Sequence, residues 1–156
     1  MLQLELVDNY SATLAATPDR IRDELSSKAN ALAADLQGKI QQKLSGGVLN
    51  QKSGALLRSI VATVDDSSAN IFVTVATSDI KYAAIHEFGG LIPPHQIVPD
   101  KAKALAFIVG GKRVFAARAN LPAIAMPERS YMRSSLAEMA DEIEEGLSEV
   151  VAEAMQ

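Results

Sequence analysis

The chain contains no cysteine and no tryptophan. The lack of thiols removes disulfides, thiolate metal sites and cysteine nucleophiles together, and it suits assembly in a reducing cytoplasm. Aromatic residues are 4% of the 156 residues, too few for the stacking platforms that hold single-stranded nucleic acid. No run of about 20 apolar residues is present to span a membrane. The start, Met1-Leu2-Gln3-Leu4-Glu5-Leu6, alternates and carries an acid, unlike the basic and apolar blocks of a signal peptide. A formal charge of -4 weighs against a general nucleic-acid binder. What is there is a chain 48% hydrophobic, enough for a core, and of a length that fits one domain spanning 1–156.

Leu2, Leu4 and Leu6 alternate with polar partners, as in a short strand. A small helix is expected over 9–16. Thr17 and Pro18 then mark a helix start, as N-cap and first helical residue. Ile21, Leu25, Ala29, Leu32, Leu36, Ile40 and Leu44 follow at helical spacing. A helix over 18–44 is about 40 Å long at about 1.5 Å per residue. That equals the span of a domain with a radius of gyration of about 15 Å, so one end is expected to project. Ser45-Gly46-Gly47 ends it with a left-handed glycine cap.

Residues 57–64 and 71–77 read as a hairpin across the turn formers of 65–70. A second hairpin, 105–109 and 112–116, flanks Gly110-Gly111, a two-residue turn needing positive φ, and sets Phe107 opposite Val114. Loops are expected at 88–95, with Phe88, Gly89, Gly90, Pro93 and Pro94, and around Pro122 and Pro127. A helix from Ser130 carries the stripe Met132, Leu136, Met139, Ile143, Leu147, Val150 and Val151. Gly146 inside it weakens it by roughly 1 kcal/mol relative to alanine. The fold class is α+β: an antiparallel β-sheet of two hairpins plus a short N-terminal strand, packed against a long N-terminal helix and a C-terminal helix. Leu36, Ile40, Ile60, Phe72, Val73, Phe107, Leu136 and Ile143 are the candidate core.

His86-Glu87 resembles the start of the zinc-protease helix motif, but that motif needs a second histidine at position 90, where Gly90 stands. The other histidine, His95, lies beyond Pro93-Pro94, where a continuing helix is not expected. The ordinary reading is a short element with Tyr82, Ile85 and Phe88 inward and His86 and Glu87 at the surface. Ser53, Ser59, Ser130, Ser134 and Ser135 sit in no nucleophile elbow, and Ser53-Gly54 reads as a turn. Neither glycine pair, Gly46-Gly47 or Gly110-Gly111, has the Gly-Lys-Ser/Thr ending of a phosphate loop. No catalytic, cofactor-binding or metal-ligating residue is assigned, and no enzyme is expected.

Charge is unevenly placed. Lys101, Lys103, Lys112, Arg113 and Arg118 cluster around the second hairpin, while Glu138, Asp141, Glu142, Glu144, Glu145, Glu149 and Glu153 follow Arg133 with no further base. Such runs are usually solvated faces. The sharper reading has Glu142, Glu145 and Glu149 facing a basic neighbour, or lining a passage whose field keeps DNA from sticking.

The succession from Ser53-Gly54-Ala55-Leu56-Leu57-Arg58-Ser59-Ile60, through Tyr82-Ala83-Ala84-Ile85-His86-Glu87-Phe88-Gly89-Gly90 and Ile92-Pro93-Pro94, to 101–107 and Phe115-Ala116 resembles the tail-completion and head–tail joining (neck) proteins of long-tailed bacteriophages. It is similar also to the Mu-type virion morphogenesis family, through the Tyr-Ala-x-Ile-His-x-Phe-Gly-Gly signature. The resemblance covers about 53–136. It departs at 129–131, where that family has Arg-Pro-Phe and this chain has Arg129, Ser130 and Tyr131; serine, a good N-cap, keeps the helix start. The resemblance implies a structural virion protein, assembled in the host cytoplasm. Copies would form a ring, hexameric or dodecameric, around the DNA path. Its partners would be the head connector or stopper and the tail terminator or tail tube, with DNA only as cargo. A tail terminator or other tail-tube-end protein is the alternative, and a metal-dependent hydrolase a remoter one. The candidate contact surfaces are 88–95, including Phe88, Gly89, Gly90, Pro93, Pro94 and His95, and the hairpin at Lys112 and Arg113.

Overall fold

The computed structural model describes residues 2–7, 19–49, 53–67, 70–100 and 102–154. The small helix expected over 9–16, the cap at Thr17 and Pro18, and Lys101 lie outside the described residues. The long helix α1 spans Asp19–Gln42. Its apolar stripe is buried from Leu25 through Ala29, Leu32, Leu36 and Ile40 to Leu44 just beyond it. The half-buried Ile21 packs on the same core, so neither described end projects. The helix ends in a wide turn, Lys43–Gly47, where Gly46 takes φ 122°. The Val48 and Leu49 N–H groups both donate to the Lys43 carbonyl, at 2.8 and 3.2 Å.

Strands β1 (Leu2–Val7), β2 (Ile60–Asp65) and β3 (Phe72–Thr77) form an antiparallel sheet with β3 in the middle. In β3, Val73, Val75 and Thr77 are buried, while Phe72, Thr74 and Ala76 are only half-buried. Phe72 and Val73 are therefore not core partners: neighbours in a strand point to opposite faces, and Val73 has the core side. The first hairpin also starts later than expected. Ala55–Arg58 is a single helical turn, α2, led by Gly54 at φ 69°. Leu57 is therefore helical, and Ser59 closes the turn with its N–H on the Ala55 and Leu56 carbonyls. The Ser59 and Thr77 hydroxyls then pair at 2.7 Å, which satisfies the buried Thr77 where the turn meets the sheet.

Helix α3 (Ala83–Phe88) leads into six short strands: β4 (Gly90–Ile92), β5 (His95–Ile97), β6 (Leu105–Val109), β7 (Lys112–Ala116), β8 (Ala119–Leu121) and β9 (Ile124–Met126). The chain closes with α4 (Met132–Glu138) and α5 (Ala140–Ala154), a helix broken at the buried Met139, where φ is -103° and ψ 1°. The stripe read from sequence faces inward. Met132, Met139 and Ile143 are buried, and Leu136, Leu147, Val150 and Val151 pack partly against the core. Gly146 is a place of close approach: a Cβ there would lie 2.5 Å from Cε of Lys28 on α1. The glycine lets the lysine stem cross α5. Helix α1 packs on β2, β3, α4 and α5 and so holds the sheet and the C-terminal helices together. Phe107 is half-buried, but it stands on β6, outside this core.

Ile40→Ala and Leu36→Ala, at positions 0% and 4% exposed, should each cost about 2–5 kcal/mol, and the half-buried Leu136 less. Denaturant midpoints of the three variants check the ranking.

Candidate functional site

Strands β4 to β9 make one ribbon. Gly90 to Ile92 pair with Met126 to Ile124, and His95 to Ile97 pair with Leu121 to Ala119 in the same continuous register. Pro93, Pro94 and Pro122 fall in the gap between these ladders, where a residue without an N–H belongs. The segments expected as loops thus pair with each other. They are extended because proline favours that backbone. Beyond them β6 pairs with β7, Phe107 opposite Val114 as expected. Gly110 and Gly111 turn the tip at φ 56° and 79°. The second hairpin is therefore the end of the ribbon and does not join the three-stranded sheet. None of the ribbon strands packs closely on the helices or on that sheet.

The root of the ribbon is closed by Glu87. The spacing of Ala83 and Glu87, i and i+4, puts both on the buried face of α3, at 2% and 0% exposure. Tyr82 and Phe88, expected inside, are 43% and 50% exposed. The physical reason is the start of α4. A helix begins with four N–H groups that lack intrahelical partners and with a positive dipole end, and the first turn of α4 holds no acid. Oε2 of Glu87 accepts from the Tyr131 and Met132 N–H groups at 2.8 and 2.9 Å. Oε1 accepts from the Arg133 N–H at 3.0 Å, the Ser130 hydroxyl at 2.9 Å and Arg133 Nε at 3.2 Å. The N-cap position falls on Tyr131, one residue later than the Ser130 expected there; the Ser130 hydroxyl still accepts from the fourth group, the Ser134 N–H, at 3.2 Å.

Other contacts sew the ribbon's two ends together around this carboxylate. The Arg129 N–H donates to the His86 carbonyl at 2.9 Å. The Arg133 guanidinium donates to the Glu87 carbonyl and to Glu128, and lies 4.6 Å over the Phe88 ring. Gly89, at φ 67°, admits the returning chain: a Cβ there would meet the Glu128 nitrogen at 2.6 Å and the Met126 oxygen at 2.9 Å. Burial pushes the Glu87 carboxyl up, but the N–H groups of Met132, Arg133 and Tyr131 and the Ser130 hydroxyl outweigh it. The group titrates below the ordinary carboxylate range. Tyr131, buried against that charge, is pushed up.

His86 is not at the surface either. It is half-buried, and its Nδ1 is enclosed without a hydrogen-bond partner. Its ring meets Tyr82 edge-on at 5.7 Å. Both side chains line a cleft of about 490 Å³ with Leu44, Leu49, Leu56 and Arg129. Burial, then the Arg129 charge, lower its pKa. His95 is exposed on β5, with Nδ1 3.0 Å from the Pro93 carbonyl. Among the described residues no group of three His, Asp or Glu side chains is placed to hold a metal ion, and both oxygens of Glu87 are already engaged.

Lys112 and Arg113 are exposed at the ribbon tip, and Glu142, Glu145 and Glu149 are exposed along α5. Glu138 differs from these acids: Lys43 and Lys39 of α1 lie 2.6 and 3.4 Å from it, so it is compensated. Phe88, Gly89 and Gly90 belong to the root of the ribbon, and Pro93, Pro94 and His95 to its first stretch. The roles of Glu87, Gly89 and Arg133 escaped the sequence reading. The one available signal was a helix start, Met132-Arg133-Ser134-Ser135, with no acid of its own.

The molecule is thus an α+β body whose best-organised polar cluster holds out a ribbon rather than enclosing a reactant. The family model described as the Phage virion morphogenesis family matches residues 13–156, and the chain belongs to that family. Neither a curated protein nor a solved structure matches it. The two segments where the resemblance was most specific and where it departed, 82–90 and 129–131, are those that Glu87 ties together.

Glu87→Gln should cost roughly 2–3 kcal/mol, since charge-assisted bonds and a dipole partner are lost together. With a folded pKa below the ordinary 4.5, Glu87 contributes stability present above about pH 4.5 and lost as pH falls through the folded value. Melting temperatures from pH 7 to 3 should fall less steeply for Glu87→Gln than for the parent. His86, lowered from 6.5, likewise stabilises only while neutral. His86→Phe should flatten the decline between about pH 7 and 5, where the unfolded imidazole takes up its proton.

Proposed function

We propose that this protein is a tail-completion or neck component of a long-tailed phage or prophage, whose copies form a ring joining the tail to the head connector around the DNA path. The observation that carries this reading is the ribbon, read together with membership of a virion morphogenesis family. An isolated two-stranded ribbon is marginal in water. This one exposes Leu91, Val98, Ile108, Val109 and Phe115, each at least 59%. Apolar surface presented in this way marks a contact site, and a part that seats between other parts needs one. The head connector or stopper, the tail terminator or the tail tube are its neighbours, with DNA passing through as cargo.

A phage lacking the gene should accumulate filled heads and complete tails of normal length, unjoined, in electron micrographs, with joining restored by the gene in trans. Joined, infectious particles without the protein would reject the reading. Unjoined tails of irregular length would transfer the protein to the tail end, as a terminator.

A further inference from the structure

We propose, resting on the ring reading above, that the ribbon tip of one copy docks on the acidic face of α5 of the next, so that the ring closes through head-to-tail exchange of arms. Both halves of the contact are on one chain, and they do not meet there. The tip carries Lys112 and Arg113, and the ribbon also bears Lys103 and Arg118 against the single acid Asp100. Helix α5 carries Asp141, Glu142, Glu144, Glu145, Glu149 and Glu153 and no base. The ion pairs among the described residues join Arg20 to Glu24, Lys39 and Lys43 to Glu138, and Arg133 to Glu87 and Glu128. None uses a charge of the ribbon tip or of α5, and the ribbon strands make no extensive packing contact with α5 of their own chain.

The geometry of each half suits the other. The register puts Ile108 opposite Arg113 and Ala106 opposite Phe115. One face of the tip therefore sets a guanidinium between two apolar side chains, 77% and 65% exposed. A two-stranded ribbon gains stability when a helix covers a face. On α5, Glu142, Glu145, Glu149 and Ala152, at i, i+3, i+7 and i+10, share one exposed stripe. Its carboxylates match the guanidinium bidentately, and its glutamate stems and Ala152 offer apolar surface to Ile108 and Phe115. A surface that complements a different patch of an identical chain makes a heterologous contact, the kind that closes into rings. Like charge along α5 opposes that helix in the free chain, at i,i+4 pairs such as Asp141 with Glu145; Lys28 of α1, crossing at Gly146, is one base against six acids, and an arriving basic arm adds two more.

The test is a charge exchange in the phage deleted for the gene and complemented in trans. Lys112→Glu with Arg113→Glu should lower the yield of infectious particles about tenfold or more, as should Glu142→Lys with Glu145→Lys. Circular dichroism of the purified variants should match the parent. The four changes together should restore yield. Independently, Arg113→Cys in one copy and Glu145→Cys in another should form a disulfide between copies in assembled tails; the parent chain, without cysteine, gives a clean background. No rescue and no bond between copies would overturn the exchange while leaving the tail-joining role standing. That role fails separately, if the deletion alone leaves joining intact. An unimpaired α5 double variant beside an impaired tip variant would also overturn it, and would direct the tip to a different protein.

Discussion

A single carboxylate at the start of a helix holds the two halves of this molecule together. Glu87 accepts three consecutive backbone N–H groups of 131–133, with a hydroxyl and a guanidinium completing its shell. Buried charge is costly unless it is paired and hydrogen-bonded, and here both conditions are met by groups that would themselves be unsatisfied without it. One interaction therefore fixes where α4 begins, how deep α3 sits and where the ribbon leaves and rejoins the body. Gly89 serves the same end sterically, because only a residue without Cβ allows the outgoing and returning chains so close.

Body and ribbon follow different physics. The body buries an apolar stripe of α1 against a sheet and a broken C-terminal helix, and its side chains are those of an ordinary core. The ribbon has no core. Its regularity comes from register and proline placement, and its apolar side chains remain at the surface. A clasp of charge-assisted bonds is a suitable joint between them, since it is directional where hydrophobic contact is not. An arm held at a set angle can present a surface to a neighbour with little ordering left to do on binding.

Much of this was legible in the residues. The heptad-like run from Ile21 to Leu44, the stripe from Met132 to Val151 and the Gly110-Gly111 turn each depend on near neighbours and on simple periodicities, and each stands as read. The misreadings share a cause. Phe72 and Val73 cannot both face the core, and only sheet pairing decides which does. Residues 90–97 and 119–126 look like loops because prolines mask the alternation, and only their mutual register makes strands on either side of those prolines. Glu87 looks like a surface acid because nothing within four residues explains it; its partners lie 43 to 46 positions away.

By itself the sequence determined the class of the fold, the long helix with its buried stripe, the ribbon tip, the separation of basic and acidic surfaces and the likeness to a virion morphogenesis family, because each is written in local spacing, composition or motif. The tertiary structure alone decided that the two motif segments meet, that a glutamate resembling half of a metal site is a helix cap, and that the hairpin is the end of an arm. Those outcomes depend on satisfying hydrogen-bonding groups across distant parts of the chain. A helix start, a carboxylate and a close backbone crossing find each other only when the core has brought them within bonding distance.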